Sequence, residues 1–94
     1  MPRYLIERAW DERDEREMDE AGYRSRHIAE KHFPAITWEH SHVVSDDSGK
    51  IKTFCVYTAP NVQMVLDHAG MVGDHRVVHV YEIGGDVSPA DFPG

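Results

Sequence analysis

Two stretches of helical periodicity, Asp11 to Phe33 and Pro60 to Gly70, are set among short runs rich in β-branched and aromatic residues. That alternation limits the folds open to the chain. Tyr4 to Arg8 is the first β-type run. Thr37 to Val44 and Ile51 to Thr58 flank Ser45-Asp46-Asp47-Ser48-Gly49-Lys50, whose turn chemistry predicts a hairpin, and Arg76 to Ile83 is the last run. In the first helical stretch Met18, Ala21, Ser25, Ile28, Ala29 and His32/Phe33 recur at three and four residues. Acids gather at its start (Asp11, Glu12, Asp14, Glu15, Glu17), bases come later (Arg24, Arg26, Lys31), and Pro34 ends it. In the second, Val62, Val65, Leu66 and Ala69 mark the core face, and Gly70 is placed to cap it in the left-handed conformation. The order βαββαβ predicts one α+β domain over residues 1–94 of ferredoxin-like type: four antiparallel strands in the order 4-1-3-2, both helices on one face. Residues 84–94 are expected as an extended tail.

An architecture with helices on one face leaves the other face of the sheet bare, and a second copy is the usual cover, so a homodimer through the open sheet face is expected. Charge narrows the other partners. Ten Lys and Arg against 17 Asp and Glu give a net charge of −7, the wrong sign for a phosphate backbone, so nucleic acid is excluded as a partner. No run approaches the roughly 20 apolar residues of a membrane span. The single cysteine, Cys55, cannot form an intrachain bridge, and Met1 to Arg8 carries charges where a signal peptide is apolar; both point to a cytoplasmic protein.

Strand alternation sorts the side chains between faces. The most apolar set, Tyr4, Ile6, Val43, Phe54, Val56, Val78 and Val80, is assigned to the helices. The open face then receives Leu5, Glu7, Trp38, His40, His42, Val44, Ile51, Thr53, Cys55, Tyr57, His79 and Tyr81. A hairpin closing between Val44 and Ile51 sets His40 beside Cys55 and His42 beside Thr53, with Glu7 on a neighbouring strand. Imidazole, thiolate and carboxylate together suit a borderline divalent ion, nickel, zinc or copper. The candidate metal ligands are therefore His40, His42, Cys55 and Glu7, with His79 as a further donor. On spacing alone, such histidines more often serve a polar dimer interface and such a cysteine is more often a small buried hydrophobe. His27, His32 and His68 have no ligand spacing and are assigned to the surface or the core boundary.

A rival reading is a small dimeric α+β barrel enzyme, monooxygenase-like, in which His40 or His42 orients or deprotonates an aromatic substrate under Trp38 and Tyr57. No nucleophile with a paired base recommends catalysis, and binding is favoured over turnover.

Longer strings add to the spacing. Met1-Pro2-Arg3-Tyr4-Leu5-Ile6-Glu7-Arg8, Trp38-Glu39-His40-Ser41-His42-Val43, Lys52-Thr53-Phe54-Cys55-Val56-Tyr57-Thr58-Ala59-Pro60 and His68-Ala69-Gly70 follow one another in an order that resembles the small nickel-binding, ferredoxin-like family catalogued as a domain of unknown function. The resemblance runs from Pro2 to Ile83. It implies a dimeric protein that binds nickel for sequestration or homeostasis rather than turnover. Two positions depart from the family pattern, His42 where Tyr is common and His79 where an acid is frequent, and both assign imidazole to the open face.

Overall fold

In the computed structural model, which describes residues 1–10 and 14–94, the chain forms β1 (Arg3–Ala9), α1 (Glu15–His32), β2 (Thr37–Ser45), β3 (Ile51–Thr58), α2 (Val62–Val72) and β4 (Arg76–Ile83), then a 3-10 turn at Pro89–Asp91. The strands make one antiparallel sheet in the order β2-β3-β1-β4, which is the expected ferredoxin-like topology. Its expected helical start at Asp11 lies outside the described residues. Asp14 caps α1, its carboxylate accepting from the Glu17 amide at 2.8 Å. The helix stops at Phe33 because Pro34 crowds a helical conformation in the residue before it. Asn61 caps α2 in the same way, at 2.9 Å from the Met64 amide.

Two details of α2 differ from expectation. The helix runs through Gly70 and ends at Gly73, whose φ of 67° supplies the left-handed residue. The buried stripe is Val65, His68, Ala69 and Val72, with Val62 and Leu66 partly exposed. His68 takes a core position that apolar counting awards to its neighbours.

Tyr4 and Ile6 of β1 and Cys55 and Tyr57 of β3 face the helices and pack with Ile36, Ala59, Val65 and Ala69. Trp10, Ala21, Ile28 and Val72 extend the core toward α1. Burying one such aliphatic side chain as fully as Ile6 contributes roughly 1.5–3 kcal/mol.

The hairpin register decides everything on the other face. Asp46 pairs with Lys50 through a backbone bond of 2.9 Å, so the loop is Asp47-Ser48-Gly49, with Gly49 at φ 82°. Three-residue hairpins use such a left-handed residue to complete a type I turn. The Asp46 carboxylate fastens the loop, accepting from the Ser48 hydroxyl at 2.6 Å and from the Ser48 and Lys50 amides; the Ser48 hydroxyl first, then the amides, hold its pKa low. The odd loop pairs Ser45 with Ile51 and Val44 with Lys52, one residue off the expected Val44–Ile51 closure. A one-residue slip sends every side chain of the strand pair to the opposite relation. His40 thus opposes Val56 rather than Cys55, and His42 opposes Phe54 rather than Thr53. Phe54 and Val56 lie on the open face, and Ile51, Thr53, Cys55 and Tyr57 face the helices, the reverse of the expected assignment. A register shift between Trp38 and His40 turns Trp38 to the helix side opposite Tyr57. Val78 falls at a second such shift, in the pairing of β1 with β4, and is exposed.

The helices do not reach over β2. Ser41 is the one residue of that strand that is not exposed, and Val43 on its helix side is 63% exposed.

Candidate metal centre on the open sheet face

Across the four strands the open face is laid out in rows. One row is His42, Phe54, Glu7 and His79; the next is His40, Val56, Leu5 and Tyr81. His40 and His42, two apart on β2, stand side by side with ring centroids 5.3 Å apart and planes at 78°. Two imidazoles sharing one ion have centroids roughly 4.5–5.5 Å apart, because each ring nitrogen sits ~2.0–2.1 Å from the metal. The pair thus has chelating spacing, and the exposed strand leaves both rings open to solvent.

Glu7 and His79 form a second pair of donors, directly opposed on β1 and β4. Glu7 also holds Lys52, whose Nζ donates to its Oε2 at 3.2 Å, a cation that sequence reading left out. His79 stacks on Tyr81 with centroids 4.2 Å apart. Three strand spacings, about 14 Å, separate β4 from β2. Among the described residues no three His, Cys, Asp or Glu converge as one chain's ligand set.

Cys55, grouped with the histidines by sequence, is instead 4% exposed within the core on the other side of the sheet. The geometry separates it from His40 and His42. The displaced register is the reason.

At the β2 irregularity Glu39 binds Arg3 through both carboxylate oxygens, at 2.9 and 3.0 Å, and accepts from the Thr58 hydroxyl at 2.8 Å. Arg3 and then Thr58 hold the Glu39 carboxyl below its usual range. Arg3 also reaches Asp86 in the tail at 2.7 Å, and hydrogen bonds to Glu39 and Asp86 raise its pKa further above the ordinary guanidinium value.

The helix side holds a group that sequence reading passed over. Arg8 is 1% exposed; its Nη2 donates to the Tyr57 hydroxyl at 3.1 Å, its guanidinium lies 5.5 Å from the Tyr57 ring centre, and its Nε has no partner. Alternation with Tyr4 and Ile6 was the available signal. Burying a guanidinium without a counter-charge costs several kcal/mol, of which an aromatic face returns about 2 kcal/mol. Among the described residues no carboxylate is paired with it. Burial pushes the Tyr57 phenol up to about 12. Burial likewise lowers the pKa of His68 and His75. Each histidine donates one ring N–H to a carbonyl, His68 Nε2 to Ser25 at 2.9 Å and His75 Nδ1 to Gly73 at 2.7 Å, and its other nitrogen is unpartnered. A cavity lies beneath Trp38 and Tyr57 as the enzyme reading requires, yet neither His40 nor His42 lines it.

Comparison with known proteins agrees with this architecture. Residues 4–83 match the family described as nickel responsive protein, SCO4226-like. Among solved structures, that of SCO4226 from Streptomyces coelicolor A3(2) superposes with a TM-score of 0.68 at 14% identity, covering 90% of this chain and 99% of the other. No curated protein matches.

Proposed function

The chain belongs to the SCO4226-like family of nickel responsive proteins, and from that footing we propose that it is a cytoplasmic, homodimeric binder of a divalent ion of the nickel type, serving sequestration or homeostasis rather than catalysis. The observation that carries this reading is the His40–His42 pair, exposed on one face at chelating distance. Two imidazoles leave an ion of this kind short of ligands. A two-fold axis parallel to the strands, in a face-to-face dimer, lays β2 of one protomer over β4 of the other. His40 and His42 then meet the partner's Glu7 and the partner's His79 across sheets packed about 10 Å apart. Lys52 yields its place on Glu7 when the ion binds. Cys55 contributes packing rather than a bond to the metal.

Metal analysis of untagged protein purified without added metal or chelator, with the mass of the assembly measured on the same sample, tests the proposal. Near-stoichiometric nickel, zinc or copper on a dimer is expected, and the double variant His40→Ala, His42→Ala is expected to lose it. Affinity should fall on acidification, because protons compete with the ion for imidazole nitrogen. Full stoichiometric binding by the double variant would remove the assignment, as would a metal-free monomer that takes up no nickel on titration.

A further inference from the structure

On the side of the sheet away from the histidines, a cleft of about 140 Å³ opens between α1 and β2. Arg8, Thr53 and Tyr57 lie among its lining, with Met18 and Gly22 on α1 and Trp38 on β2. It exists because β2 extends past the helices, and its lining is mostly apolar. A cavity of this size holds one benzene ring. Its buried polar groups have hydrogen atoms to give. The Arg8 Nε is unpartnered at 1% residue exposure, and among the described residues no carboxylate is paired with the guanidinium. Thr53 Oγ1 accepts from the Trp10 indole at 2.8 Å and keeps its own proton to donate. The Tyr57 hydroxyl accepts from Arg8 and likewise keeps its proton. The acid on the lining, Asp19, is exposed.

We propose that this cleft binds a small organic carboxylate of benzoate size, the carboxylate on Arg8 with Thr53 and Tyr57 as further donors, the apolar body between Met18 and Trp38. A planar carboxylate matches the guanidinium fork and needs few donors. A tetrahedral oxyanion would leave oxygens against carbon in so apolar a lining. The ligand supplies the negative charge that no described residue gives the Arg8 guanidinium. The site is independent of the open face and needs no metal.

Both tryptophans of the chain, Trp10 and Trp38, line the cleft, so their indole N–H resonances report occupancy directly. Benzoate titrated into resin-stripped, metal-free protein is expected to shift both resonances saturably and to raise Tm. Benzyl alcohol, which has the body without the charge, and inorganic phosphate, which has the charge without the body, are expected to do neither. Arg8→Met should weaken benzoate binding by about ten- to a hundredfold. Gly22→Leu keeps Arg8 and obstructs the cleft; a Cβ at Gly22 meets nothing within 4 Å, so the helix tolerates it, and benzoate binding should be lost. If Arg8→Met does not fold, Gly22→Leu and the two control ligands decide. Indole resonances unmoved by benzoate, an equal response to phosphate or benzyl alcohol, or full affinity in a folded Arg8→Met or Gly22→Leu protein would each overturn the proposal.

Discussion

His68 couples the stability of the fold to pH through one buried ring. Its Nε2–H is spent on the Ser25 carbonyl, and burial, followed by the nearby Arg8 charge, disfavours a second proton. His75 is shifted in the same direction, again chiefly by burial. An unfolded chain protonates both at the ordinary histidine value of about 6.5. Between that value and the lower folded values the unfolded state binds more protons, so stability is full above pH 6.5 and is lost as pH falls. Thermal melts of metal-free protein should therefore show a plateau above about pH 7 and a falling Tm below about pH 6.5. His68→Gln should flatten that slope, and a variant melting with an unchanged slope would exonerate the residue. Arg8 belongs to the same neighbourhood, and its burial was written in the phase it shares with Tyr4 and Ile6. In β1 the phase was legible and the charge was misjudged, because a charged residue is rarely enclosed without a visible partner.

At the scale of elements, local chemistry was the more legible layer. Asp14, Pro34 and the turn residues each end or start something for a reason visible in the string, and the strand order followed from element order. Which face each strand shows was less legible, since it depends on the number of residues in one loop. Ser45 to Lys50 reads equally well as six turn residues or as three with a left-handed Gly49, and only the second sets His42 opposite Phe54. His40, His42, Glu7 and His79 lie on the expected open face because their own stretches of β2, β1 and β4 keep the expected alternation, whereas Cys55 changed sides with the whole of β3. Within α1, Gly22 is an avoidable cost. Gly22→Ala meets no atom within 4 Å and should add about 0.5–1 kcal/mol, seen as a Tm higher by about 2–8 °C. A fall in Tm would mean that the helix needs the gap.

For the molecule as a whole, the tail is attached lightly. Asp86 reaches Arg3 with a carboxylate that is 74% exposed, and Val87 and Phe92 are 75% and 71% exposed. Exposed ion pairs contribute little, and the family match ends at residue 83. A chain ending at Ile83 should melt within a few degrees of the longer one; a large loss would show that the tail covers part of the open face.

The position of β1 has a consequence in time. It is one of the two central strands, yet its neighbours arrive late: Leu5 lies between Val56 of one flanking strand and Tyr81 of the other. During synthesis, Tyr4, Leu5 and Ile6 must wait while α1 and the hairpin emerge, and the hairpin, whose partners are adjacent in sequence, is free to form first. Only when Arg76 to Ile83 has left the ribosome can both flanks of β1 be satisfied, so the sheet closes late in folding.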